Sequence, residues 1–297
     1  MGEFLLVLCG VLRSTDLFFR LSVMKIVPVL TMITWEHFIN ACIVIPILWK
    51  LRDDFKKISL RDGVFFLLVG CGSSVGGLLC FSKAYSFMNP ALVVLLQKLQ
   101  PLITILFSAL LLGETLNWSF YPWAAIAVAS SYFVSFSFTN PFSGEWHQIA
   151  WGTLFSLLAA FFWGGGTAWG KILLKSFNPL FVFANRLVIG AIFAGALMVL
   201  TKENIMFERV FASEDPLFLK LFYMALVPGL FATTFFYQGL QKVRASISAI
   251  LELSFPLSSI IIMWAFFNKS LDSIQICSGI ILCISMFMVV QSKKSSS

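Results

Sequence analysis

Charge is scarce in this chain, and histidine scarcer. Only 12% of its 297 residues are Asp, Glu, Lys or Arg, and just two are His. A soluble domain carries roughly 25% charged residues, so the composition excludes an ordinary soluble globular protein. Two imidazoles make a metal enzyme improbable. The sequence has no Gly-rich phosphate loop, no HExxH, no Gly-x-Ser-x-Gly and no CxxC pair. Its six Cys (Cys9, Cys42, Cys71, Cys80, Cys277 and Cys283) all lie in apolar runs and read as small buried hydrophobes, not disulfides or metal ligands. No stretch has the composition of a flexible linker, and the tail SKKSSS is a short polar end. The N-terminus lacks a basic region and an obvious cleavage site, so residues 4–22 read as a retained span and not a signal peptide. No cofactor is expected.

What the chain has in quantity is apolar surface. It is 59% hydrophobic and 16% aromatic, the balance of a polytopic membrane protein embedded in a lipid bilayer. A span takes about 20 apolar residues. The runs predict ten spans, near 4–22, 29–49, 63–83, 91–112, 118–138, 151–170, 180–200, 217–237, 247–267 and 271–290. The 33 Phe and nine Trp read mainly as lipid-facing bulk and interface belts. The net charge of +7 falls mostly in short loops, which argues for orientation and against nucleic acid. Lys50, Arg52, Lys56, Lys57, Arg61, Lys171, Lys175, Lys242, Arg244, Lys293 and Lys294 fall on one side. Lys25, Lys202, Arg209, Lys220 and Lys269 fall on the other. That bias predicts a multi-pass protein of the plasma (inner) membrane with both termini cytoplasmic.

The chain reads as one unit written twice. A shift of 155 carries Gln97 onto Glu252, Pro101 onto Pro256, Leu116 onto Leu271 and Phe81 onto Phe236. A shift of 151 carries Arg20 onto Lys171 and Pro28 onto Pro179. Such self-similarity divides the sequence into residues 1–140 and 141–297, five spans each. Five is odd, so the second copy enters the membrane inverted, and a site is expected near the midplane where the halves meet.

Eight charges stand inside the apolar runs: Arg13, Asp16, Arg20, Glu36, Lys83, Lys98, Arg186 and Glu252, with His37 beside Glu36. Facing lipid, eight would cost on the order of 20 kcal/mol, so they face the interior, pair or snorkel. Arg13, Asp16 and Arg20 share one helical face, as a cavity-lining stripe or as an internal pair with Arg20 snorkelling outward. Glu36, His37 and Asn40 are candidates for proton relay. Gln97, Gln100 and Thr104 share a face, and so do Ser248, Glu252 and Ser259. Gln97 and Glu252 each precede a proline by four residues, and that proline frees their own carbonyl. These mated positions are the strongest site signal. Arg186 suits a carboxylate or phosphate. Lys83, Tyr85, Tyr237 and Gln238 read as interface anchors. Gly72/Gly76 and Gly166/Gly170 read as close-packing pairs. Trp163 is either packing bulk or a cavity wall. Glu114 reads as structural, meeting the positive start of the following helix.

The proline of span four, the Leu-Leu-Gly-Glu-Thr-Leu of 111–116, Trp163-Gly164 followed by Lys171, and Arg186 together resemble the drug/metabolite transporter superfamily, in its ten-span EamA-type branch. The first half departs from that pattern, with Leu12-Arg13 in place of Trp-Gly and Trp35 in place of Arg. The resemblance implies a transporter of small organic solutes, often an exporter of amino acids or related metabolites. The reading is therefore an all-α membrane protein, not an enzyme: a secondary transporter, and an exporter, of a small polar metabolite such as an amino acid. Substrate-binding candidates are Arg13, Asp16, Gln97, Lys98, Trp163, Arg186 and Glu252. Coupling candidates are Glu36, His37 and Glu252, with protons as the coupling ion. A proton-coupled drug or nucleotide-derivative carrier is the nearest alternative. A membrane-embedded enzyme and a non-transporting assembly subunit are the rivals from other classes. A monomer or homodimer is expected.

Overall fold

A computed structural model describes residues 1–84, 86–87, 93, 96–97, 99–137, 146–212, 216–267 and 272–292. Among these the chain is helical, with no strand. The main elements are α1 (Gly2–Ser14), α2 (Val29–Lys50), α3 (Leu60–Ala84), α4 (Gln100–Leu112), α5 (Phe120–Phe136), α6 (Trp146–Leu173), α7 (Pro179–Thr201), α8 (Leu217–Lys242), α9 (Ala245–Phe266) and α10 (Ser273–Ser292). Six of the described helices, α2, α3, α7, α8, α9 and α10, are long and apolar enough to cross a membrane. The expected first span is interrupted: α1 ends at Ser14 and gives way to a 3-10 turn at Thr15–Phe18 and a short helix at Arg20–Val23.

Local chemistry sets the helix ends. Ser59 and Asp62 form a reciprocal capping box at the start of α3. Asn178 accepts from the Leu180 N–H at 2.9 Å, with Pro179 in the first turn of α7, where its missing N–H costs nothing. Gly113 closes α4 at φ 63°, the left-handed conformation that glycine adopts without strain. Two helices widen into π turns, α3 at Leu68–Gly76 and α8 at Ala225–Phe231. The second contains Pro228-Gly229, whose proline removes a helical donor.

The helix contacts repeat when the halves are exchanged. α1 packs on α8 and α9, while α6 packs on α3 and α4. α2 packs on α7, α4 on α9 and α5 on α10. The main core runs through these contacts, with Leu6, Leu173, Phe181, Tyr237 and Leu240 fully enclosed. Large apolar side chains line the outside, as with Leu102, Leu106 and Leu110 at four-residue spacing on α4. Some of the aromatic residues are core: Phe66, Phe120, Phe177, Phe181, Phe183 and Phe236 are buried, with edge-on and stacked ring pairs filling spaces between helices. The cysteines also correct the reading: all six are free, but only Cys9 is buried, and Cys42, Cys277 and Cys283 lie on the exposed apolar face.

Candidate functional site

Helix α9 is broken in the place the proline argument identifies. Pro256 has no N–H to give the carbonyl of Glu252. The α-helix stops at Leu251, restarts at Ser254, and the Glu252 carbonyl instead accepts from the Phe255 N–H at 3.0 Å. This break presents the Glu252 carboxylate to α1, where Arg13 Nη1 approaches its Oε2 at 3.3 Å. The other carboxylate oxygen is buried without a hydrogen-bond partner among the described residues. The Arg13 guanidinium also lies over the Phe236 ring, 5.2 Å from its centroid.

The next ring along α8 holds the second guanidinium. Arg186 of α7 lies 5.9 Å from the Tyr237 centroid and donates from Nη1 to the Tyr237 hydroxyl at 3.4 Å. Its Nε donates to Ser74 Oγ on the π segment of α3, also at 3.4 Å. Among the described residues no carboxylate lies within ion-pair distance of Arg186. Tyr237 is fully buried and therefore not the expected interface anchor. Gly170 makes room for it, since a Cβ there would meet the ring at 3.0 Å. Ser74 turns also to α2, where His37 Nε2 stands 2.8 Å from Ser74 Oγ and Nδ1 stands 2.9 Å from the Ile33 carbonyl. Side chains of α1, α2, α3, α7, α8 and α9 thus meet in one polar cluster.

The expected charged stripe on α1 divides in two, because the 3-10 turn after Ser14 rotates Asp16 and Arg20 away from Arg13. Arg20 does not snorkel. It pairs with Asp16 one turn back and, through Nη2, with the Glu36 carboxylate at 3.1 Å. Glu36 and His37 are adjacent in sequence but serve different clusters. Asn40 is buried against Gly229 in the π segment of α8.

The polar face of α4 is only partly a site. Thr104 is fully buried and bonds the Gln100 and Gly164 carbonyls at 3.1 Å each, fastening α4 to α6. The Gln97 amide nitrogen is buried without a partner among the described residues. Lys98, Tyr85 and Lys269 lie outside the described residues. Ser259 bonds back to the Phe255 carbonyl and takes no part. Trp163 packs on Phe81 at 5.3 Å and on Gly77, where a Cβ would meet its Nε1 at 2.6 Å. Gly72 and Gly166 serve close packing, against Phe162 and Ser73. Lys83 lies exposed over Phe87, in keeping with an anchor.

Two residues do structural work that sequence spacing misplaces or misses. Glu114 accepts from the Ala245 N–H at 2.8 Å, the Ser246 N–H at 3.2 Å and Ser246 Oγ at 2.6 Å. It caps α9 and not the adjacent α5, so the positive helix end it meets lies more than a hundred residues away. Lys171 Nζ donates to the Leu240, Gln241 and Val243 carbonyls at 2.6, 3.0 and 2.7 Å, closing the end of α8. Tyr237 and Ser74 are the cluster members missed by sequence reasoning as site residues. The only signal was helical proximity to Arg186 across three elements.

The chain is similar over most of its length to known proteins. The model of the EamA-like transporter family matches residues 1–136 and 150–291. A protein named riboflavin transporter ImpX, from Fusobacterium nucleatum subsp. nucleatum (strain ATCC 23726 / VPI 4351), is 30% identical over 240 residues, covering 80% of this chain and 79% of that protein. A protein of known crystal structure superposes with a TM-score of 0.79 at 17% identity, over 100% of this chain and 99% of that one. That last likeness is one of fold alone.

Proposed function

The chain belongs to the EamA-like transporter family and is a multi-pass membrane transporter, not an enzyme; from that premise we propose that it is a secondary transporter of a small polar organic solute, working by alternating access. The observation that carries the reading is Arg186. A guanidinium set among helices normally meets a carboxylate or phosphate, and among the described residues this one meets the hydroxyls of Ser74 and Tyr237 and the Tyr237 ring. That leaves a cationic group able to take a polar or anionic part of a solute. The Phe236 and Tyr237 rings beside the two guanidinium groups are buried in this structure, so alternating access would have to uncover them for their faces to meet the rest of the solute.

Riboflavin is the first solute to test, since a relative at 30% identity carries that name and a flat heteroaromatic ring with polar edges matches aromatic faces beside guanidinium groups. A carboxylate-bearing metabolite such as an amino acid is the second reading, favoured by the absence of an acidic partner for Arg186 among the described residues. The bound solute would touch Arg186, Arg13, Glu252 and Trp163, with Gln97 and Lys98 contributed from the sequence just before α4. Asp16 sits with Arg20 and Glu36 on a separate path. Glu252 is the first candidate for proton coupling and Glu36 the second.

The architecture we propose is ten spans in two inverted five-helix repeats, residues 1–140 and 141–297. The exchange-invariant helix contacts, the two π-interrupted helices at matching positions and the two stretches matched by one family model support it. Broken helices at the repeat interface are where carriers of this kind hold their solutes, and the break at Glu252 lies at such a contact. The test is uptake of labelled riboflavin and of an amino-acid panel into proteoliposomes, with and without a pH gradient. The expected result is saturable flux of one of them, lost in Arg186→Gln with folded yield retained. No flux for any solute with well-folded protein, or aggregation of Arg186→Gln, would overturn the reading of this site.

A further inference from the structure

The contacts behind Arg186 assign donor and acceptor roles without reference to acidity. Arg186 Nε–H can only donate, so Ser74 Oγ accepts from it. The hydroxyl of Ser74 then needs an acceptor for its own proton, and among the described residues that acceptor is His37 Nε2 at 2.8 Å. His37 Nε2 is therefore unprotonated. The Ile33 carbonyl can only accept, so His37 Nδ1 carries the ring proton and donates at 2.9 Å. The chain of bonds runs in one direction, from Arg186 to Ser74 to His37 to the backbone of α2. Each partner has one role, and the guanidinium plane is held from behind.

The backbone makes room for this arrangement. Gly190 lies one turn after Arg186 on α7, and a Cβ there would stand 2.6 Å from His37 Cδ2 and 3.4 Å from Ser74 Oγ. The π segment Leu68–Gly76 carries Ser74 on α3. On the other side Tyr237 takes Nη1, so Ser74 and Tyr237 grip the guanidinium at two of its nitrogens.

We infer that His37 and Ser74 are positioning residues for Arg186: a one-way hydrogen-bond chain from α2 through α3 fixes the orientation in which the guanidinium is offered to the solute. This gives His37 a task other than proton relay. It rests on the reading that Arg186 contacts the solute, and the test separates the two.

Transport kinetics are measured in proteoliposomes with whichever of riboflavin and the amino-acid panel is carried fastest. Ser74→Ala is expected to raise KM by roughly tenfold, the scale of one hydrogen bond to a charged group, with maximal rate held within about twofold. Ser74→Thr, which keeps the hydroxyl, should restore KM. Gly190→Ala removes no polar group but displaces His37, and should raise KM in the same way. If Arg186→Gln loses flux and Ser74→Ala leaves KM unchanged, the positioning role fails alone. If Arg186→Gln transports with unchanged KM and rate, both readings fall. A Ser74→Ala protein that loses rate at constant KM would also overturn the inference, since that is the mark of a conformational role. Should the variants not fold, the chain itself is read in the wild-type ring: ring-¹⁵N-His labelling of the full-length His147→Asn protein leaves His37 as the single imidazole. A neutral ring protonated at Nδ1 is expected at pH 7. A ring protonated at Nε2, or an imidazolium, rules the chain out.

Discussion

Arg13 and Arg186 carry the same charge, rest on neighbouring rings of α8 and meet different partners. Glu252 neutralises Arg13, whereas among the described residues Arg186 has two hydroxyls and a ring. Removing Glu252 therefore changes more than one bond, because it leaves a second guanidinium without its counter-ion in the same cluster. Glu252→Gln keeps the shape and a hydrogen-bond acceptor but cannot carry a proton. If transport is proton-driven through this residue, the variant is expected to lose flux driven by a pH gradient while keeping solute exchange at equal pH, since exchange needs no net proton movement. Gradient-driven flux that survives would transfer the coupling role to Glu36. Stability offers a second check: Arg13→Gln should cost about 1–3 kcal/mol by stranding a largely enclosed carboxylate, and Arg13→Gln with Glu252→Gln together should cost less than the sum of the two single changes. Thermal unfolding in detergent measures both. At this scale much was legible. Arg13, Arg186, Glu252 and the proline four residues on are all visible as charges and breaks in apolar runs. Tyr237 and Ser74 are not, because Tyr and Ser are ordinary in such runs and only the third dimension sets them beside Arg186.

Among the elements, the turn between α8 and α9 is the most heavily held. Glu114 from the end of α4 caps α9, and Lys171 from α6 takes three carbonyls at the end of α8. Arg244 returns to the Thr115 carbonyl at 2.9 Å. The start of α9 is thus fixed to the first half, and the end of α8 to α6 within its own half, by charge-assisted bonds to backbone ends, the strongest class available there. Glu114→Ala is expected to cost about 1–2 kcal/mol, the scale of a lost N-terminal cap. Glu114→Gln should recover part of that, because one oxygen still accepts. Unfolding midpoints order the three proteins, and equal midpoints would remove Glu114 from the cap. Helix positions were readable from hydropathy, and the closing of α4 from Gly113. The partner of Glu114 was not, since the nearest helix start in sequence is α5 and nothing local reveals that α9 comes closer. The π turns were equally hidden. Gly70, Gly72, Gly76 and Pro228-Gly229 mark weakness in a helix, but which wide turn results depends on what packs against it.

For the whole molecule, the loops richest in Lys and Arg gather at one end. Phe55, in the loop after α2, meets Phe181 at the start of α7 edge-to-face, with ring centroids 4.9 Å apart. Phe66 near the start of α3 meets Phe177 at 5.5 Å. Lys171 reaches the Leu240–Val243 turn, Glu114 reaches Ala245, and Gly2 lies against Lys242 and Val243. These contacts bring together the N-terminus, the Lys50–Asp62 loop, the end of α4, the end of α6 and the α8–α9 turn. Lys50, Arg52, Lys56, Lys57, Arg61, Lys171, Lys175, Lys242 and Arg244 all belong to that end. Orientation follows the excess of Lys and Arg in short loops near span ends, and the fold concentrates that excess on a single face. We therefore expect this end, with the N-terminus, in the cytoplasm. A cysteine-free background, made by replacing the six native Cys, allows one Cys to be placed at position 56. An impermeant thiol reagent should label it only after the cells are permeabilised. A Cys replacing Glu203, beyond the opposite end of α7, should label in intact cells. The reverse pattern would invert the whole molecule, and labelling of both positions in intact cells would break the link between the Lys50–Asp62 loop and the cytoplasmic face.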